Sequence, residues 1–128
     1  MRDIEHIIVH RYKRADSFAE LDRRHRRTGM LRVGYHFGID EDGVIHTGRP
    51  VDWAGCFSRR FDRTGLGIVL VGPNDTDEQA VSLSLLLRKL QGTYPLVPVR
   101  LPECSLCERQ GNEQLDVSED DRTEPPEE

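Results

Sequence analysis

The run Gly67-Ile68-Val69-Leu70-Val71 constrains the fold more than any other stretch of the chain. A strand with one wet face alternates apolar and polar residues, so a run without a polar break belongs to a strand covered on both faces. Residues 4–10 (Ile4-Glu5-His6-Ile7-Ile8-Val9-His10) supply a second β-branched stretch suited to a buried position. Such strands need covering layers, and the sequence provides two helices. Ser17-Phe18-Ala19-Glu20 is a capping box, in which the serine oxygen takes an orphan N–H and the glutamate reaches back. Phe18, Leu21 and His25 follow at helical spacing, and Gly29 supplies a left-handed stop. Thr76-Asp77-Glu78-Gln79 reads as a second capping box, opening a helix whose packed face is Ala80, Leu83, Leu87 and Leu90.

Residues 35–39 and 44–47 form a hairpin joined through Asp40-Glu41-Asp42-Gly43. Residues 97–101 make a last strand, which Pro98 confines to an edge. The order strand, helix, hairpin, strand, helix, strand predicts a single α/β domain: a mixed central β-sheet with helices packed on it. The 128 residues suffice for one such domain. We place it at residues 1–107. Residues 108–128, with Pro125-Pro126 and little hydrophobicity, read as an acidic, disordered tail.

Charge divides along the same line. Residues 108–128 hold nine acids against Arg109 and Arg122, a net −7 in a chain of −5 overall. Residues 11–32 hold eight bases against Asp16, Glu20 and Asp22, four of them in Arg23-Arg24-His25-Arg26-Arg27. Basic helix and acidic tail can attract one another or recruit separate protein partners; the plainer reading is a solvated helix face beside a disordered tail. Nucleic acid is not an expected partner, because no helix-turn-helix, zinc-finger or aromatic stacking pattern accompanies the arginines.

No apolar run is long enough to span a bilayer and the N-terminus is charged rather than signal-like, so a cytoplasmic location without membrane contact is expected. Cys56, Cys104 and Cys107 are too few and too oddly numbered for a disulfide framework.

Chemistry concentrates at two places. Ile7-Ile8-Val9-His10 carries an imidazole to the end of an apolar strand, where a metal or substrate can reach it. In Arg32-Val33-Gly34-Tyr35-His36-Phe37 a glycine permits close approach, and a phenol and a second imidazole stand side by side. Together with Asp42-Gly43-Val44-Ile45 and Gly48-Arg49, these segments resemble the zinc-dependent N-acetylmuramoyl-L-alanine amidases, the family of phage amidase "lysozymes" and peptidoglycan recognition proteins. The resemblance covers roughly residues 4–101. It implies that fold, a zinc ligand at His10 and a catalytic tyrosine at Tyr35. In such an enzyme three protein ligands hold zinc, whose bound water ionises near pH 7 and attacks an amide carbonyl. A nearby phenol stabilises the oxyanion. Without the resemblance, His10 is a surface histidine and Tyr35 a half-buried aromatic. His36 faces away from Tyr35 and reads as a core or supporting residue.

The family's remaining ligands do not recur where the resemblance places them. Tyr94-Pro95 matches the approach to the last strand, but Leu101-Pro102-Glu103 then stands where Gly-His-Arg is expected. No histidine follows His46, and Glu113 falls near the position of the ligand cysteine. Phe57 stands where relatives often carry histidine, and Gly65 where they carry serine. Cys104-Ser105-Leu106-Cys107 offers a C-x-x-C that, with His10, makes a His/Cys/Cys zinc set. The same motif also suits a structural metal, dithiol redox chemistry or two silent thiols. Two functional readings follow. One is a degenerate, phage-derived relative of these amidases that binds peptidoglycan, a muropeptide or a protein partner with weak or no hydrolysis. The other is an active zinc-dependent endolysin-like amidase using the rebuilt site.

Overall fold

β1 (His6–Tyr12) lies inside the sheet, with β4 (Gly65–Val71) and β5 (Pro98–Arg100) parallel on its two sides. The computed structural model describes residues 2–101. Cys104, Cys107 and the acidic segment 108–128 therefore lie outside the described residues. β2 (Phe37–Ile39) runs parallel to β4, and β3 (Ile45–Thr47) closes the far edge antiparallel to β2. The five-stranded order is β3-β2-β4-β1-β5. Every residue of β4 is buried, as its unbroken apolar run requires, and Pro98 sits in an edge strand.

Alternation along the strands divides the core in two. Ile7, Val9, Leu66, Ile68 and Leu70 face α2 (Asp77–Gln91) and meet Leu83 and Leu86. Ile8, Tyr12, Val69 and Val71 face α1 (Phe18–Arg27) and meet Phe18 and Leu21. Each side buries a stripe of large side chains, contributing about 25 cal/mol for each Å² of apolar surface removed from water. Two glycines on the α1 side admit rings: a methyl on Gly38 would collide with Phe18, and one on Gly67 with Phe57.

Ser17 caps α1 as expected, its Oγ accepting the Glu20 N–H at 3.1 Å. The reciprocal bond reaches one residue further back, from the Asp16 N–H to Glu20 Oε1 at 3.0 Å, and it holds the Glu20 carboxyl below its ordinary range. Phe18, Leu21 and His25 are buried and Gly29 turns the chain at φ 103°. The second helix differs from its expected box. Thr76 does cap it, but Gln79 points into the protein instead of back to the cap. Its Nε2 donates to the carbonyls of Ile39 (2.8 Å) and Val71 (3.1 Å), while its Oε1 accepts from Arg11 at 2.8 Å. The buried stripe consequently runs Gln79, Leu83, Leu86, with Ala80 on the exposed side. No helix among the described residues is long and apolar enough to cross a membrane.

Candidate active site

His10 comes from β1 on the α1 side of the sheet, between Ile8 and Tyr12 and in register with Val69. The strand does not end there as the sequence suggested: it runs two residues further, and His10 is only 3 % exposed. Tyr35, expected to open the strand, lies two residues ahead of β2 in the segment that leads into it, and is fully buried rather than half-buried. The turn at Gly34 explains the approach. Its N–H donates to His25 Nδ1 at 2.9 Å, its carbonyl accepts the Cys56 N–H at 2.9 Å, and a side chain there would strike the Cys56 carbonyl. The glycine read from sequence as a point of close approach serves that purpose.

The result brings His10 and Tyr35 together. His10 Nδ1 lies 2.9 Å from the Tyr35 hydroxyl, with the rings edge-on at 80°. Two rings stack with Tyr35 in an aromatic clamp: Phe57 at 5.4 Å and 15°, and His25 at 6.2 Å and 22°. Phe57 also meets His10 edge-on at 5.8 Å. It is placed by Asp62, whose Oδ1 accepts the N–H groups of Phe57 (2.7 Å) and Ser58 (2.8 Å). Arg49 ties this loop to the Tyr35 segment by donating to the carbonyls of Val33 and Ala54.

His36 is buried as expected, supporting the fold between two backbone groups. Gly67 N–H donates to its Nδ1 at 3.0 Å, which fixes the proton on Nε2, and Nε2 donates to the Trp53 carbonyl at 2.8 Å. The Arg2 guanidinium lies against the same edge, 2.9 Å from Nε2; two donors do not pair, so this is packing. Burial pushes the His36 pKa down to about 4, with the Trp53 carbonyl opposing and the charges of Arg2 and Arg49 assisting.

Sequence reasoning placed His25 on the apolar stripe of α1 but not against Tyr35, and it read Phe57 only as a departure from a family pattern. The aromatic clamp depends on contacts across distant segments. Among the described residues no group of three or more His, Cys, Asp and Glu is placed to hold a metal. His10 is the one sequence-predicted ligand described, and its Nδ1 faces a phenol. The described donors therefore do not by themselves make a zinc site.

A family model for N-acetylmuramoyl-L-alanine amidases matches residues 1–121. The chain belongs to this family. It is 36 % identical over 85 residues to the endolysin of Enterobacteria phage K11, an alignment covering 59 % of this chain and 56 % of that one. It spans little more than half the length of the curated phage relatives it matches. The N-acetylmuramoyl-L-alanine amidase LysC from Clostridium intestinale superposes with a TM-score of 0.69 at 27 % identity, covering 77 % of this chain and 70 % of that one. Drosophila peptidoglycan recognition protein SD shares the fold, with a TM-score of 0.65 at 19 % identity over 80 % of this chain and 70 % of that one. The family member thus keeps the amidase fold, with His10 of β1 adjacent to Tyr35 of the segment before β2.

Proposed function

We propose that this amidase-family chain, of phage descent, binds peptidoglycan or a muropeptide with weak or no hydrolysis. The observation that carries this reading is the His10–Tyr35 pair, closed in by Phe57 and His25, with Pro102 at the sequence position where the resemblance calls for a second zinc imidazole. Loss of a ligand from a three-ligand site removes most of the metal affinity. Phe57 contributes a ring that cannot donate a hydrogen bond or share a proton at a position where relatives often carry histidine.

One observation favours the second reading, an active amidase with His10, Cys104 and Cys107 as zinc ligands. β5 pairs Val9 with Arg100, and the Leu101 N–H donates to the Val9 carbonyl at 3.0 Å. The chain therefore leaves the described domain one step from His10, three residues before Cys104. Tyr35 would then stabilise the oxyanion.

The deciding experiment is metal content by mass spectrometry for wild type, His10→Ala and Cys104→Ala, alongside co-sedimentation with purified sacculi and release of soluble peptides. Sacculus binding without stoichiometric zinc and without release supports the binding reading. About one zinc per chain, lost in both variants, together with peptide release, establishes the rebuilt enzyme. Absence of sacculus binding in a folded, zinc-free protein overturns the peptidoglycan assignment.

A further inference from the structure

The exposed side of α1 carries more positive charge than its neighbours neutralise. Arg24 is paired with Glu20 at 3.4 Å and Arg26 with Asp22 at 2.8 Å. Asp22 is further engaged by the Val33 N–H at 2.7 Å, so its charge is already shared. Arg23 and Arg27, one turn apart and both exposed, have no carboxylate within ion-pair distance among the described residues. They form a short cationic stripe along the helix.

The chain's complementary charge lies in residues 108–128, with nine acids and a net −7. Two structural facts put that segment within reach. Leu101, the last described residue, packs against the core cluster that contains Phe18 and Leu21 of α1. The chain thus exits on the α1 side of the sheet, not the α2 side. Residues 102–107 then provide a spacer of about 20 Å when extended, at roughly 3.3–3.6 Å per residue. A ten-residue helix such as α1 is only about 15 Å long.

We infer that the acidic segment 108–128 docks on the basic face of its own α1, centred on Arg23 and Arg27. A tether of this length sets an effective concentration in the millimolar range, so individually weak exposed ion pairs suffice to hold it. The contact is electrostatic and screened: the Debye length falls from about 10 Å at 0.1 M salt to about 3 Å at 1 M. Docking places an acidic segment over the guanidinium pair that any external polyanion would use. The basic face of this chain is therefore occupied at low salt and available at high salt. This assignment is independent of whether the protein hydrolyses peptidoglycan.

The test is amide NMR on the full-length chain, comparing wild type with Glu119→Gln/Asp120→Asn/Asp121→Asn and with Arg23→Gln/Arg27→Gln. Neutralising the three tail acids is expected to shift the amides of residues 23–27 and leave those around the exposed Val81 and Leu85 of α2 in place. Raising salt from 0.05 to 1 M should move the same α1 amides of wild type in the same direction, with much smaller movement left in the tail variant. The wild-type titration needs no substitution and stands if a variant folds poorly. Unmoved α1 amides in both experiments overturn the inference. So do shifts that grow with protein concentration, which would assign the contact to a second copy.

Discussion

His10 Nδ1 and the Tyr35 hydroxyl stand 2.9 Å apart although 25 residues separate them in sequence. Each is delivered by a different part of the fold. His10 is fixed by pairing of β1 with strands on both sides, whereas Tyr35 is fixed by Gly34, whose N–H and carbonyl are both taken by neighbours. Two nearly parallel rings stack with the phenol, and its hydroxyl meets the imidazole. Imidazole and phenol are thereby oriented before any ligand arrives.

Tyr35→Phe tests that arrangement. The substitution keeps the clamped ring and removes a buried hydrogen bond to His10, which is expected to lower stability by about 1–3 kcal/mol. Urea denaturation measures it. If wild type releases peptides from sacculi, the same variant should do so about 10²-fold more slowly, the scale of losing one oxyanion donor. Unchanged stability would mean that His10 Nδ1 finds an equal partner once the hydroxyl is gone.

Phe57→Ala removes one jaw of the clamp. The ring fills a slot where Gly55 and Gly67 leave no room for side chains of their own. Its loss is expected to cost about 3–5 kcal/mol, as for other buried aromatics. Diethyl pyrocarbonate should then modify His10, 3 % exposed in the intact protein, several-fold faster than in wild type. An unaltered rate of His10 modification in a folded variant would show that Phe57 does not shield it.

The layered fold was legible because its signals are local. The unbroken apolar run of β4, the Ser17 and Thr76 caps, and Pro98 at an edge each follow from a few adjacent residues. The family resemblance singled out His10 and Tyr35, but not the contact between them. What could not be read depends on contacts between distant segments. Gln79 looks like a cap partner in sequence because Thr-x-x-Gln has the right spacing, yet two buried carbonyls on β2 and β4 and the half-buried Arg11 of β1 compete for its amide. His25 sits on the correct helix face, but nothing within α1 indicates that Tyr35 will stack on it.

Gln79→Leu measures what that amide contributes. Leucine fits the space but strips the donor from the Ile39 and Val71 carbonyls and the acceptor from Arg11. The expected loss is about 2–4 kcal/mol, more than a surface capping residue contributes, because the two carbonyls left behind are buried. Thermal or urea unfolding checks it, and a change below about 1 kcal/mol would place Gln79 in the ordinary capping role its sequence suggests.

The acid sensitivity of the fold should trace to His36. Its pKa is about 4 in the folded protein, against about 6.5 for a free imidazole, because the ring is buried with Nδ1 already accepting the Gly67 N–H. Between pH 6.5 and 4 the unfolded chain binds a proton that the folded chain does not. Stability is therefore full above pH 6.5 and falls as pH drops through that window, by up to about 3 kcal/mol; below pH 4 both states are protonated and this contribution flattens. His36→Asn cannot titrate. It should be less stable than wild type at pH 7.5, where the imidazole's two backbone bonds are intact, but lose less stability on acidification. Urea midpoints for the pair at half-unit steps from pH 7.5 to 4.5 give the comparison directly, since titrating carboxylates affect both proteins alike. Parallel curves would mean that His36 takes up its proton in the folded state near the ordinary value, and that Arg2 and Trp53 rearrange to accept it.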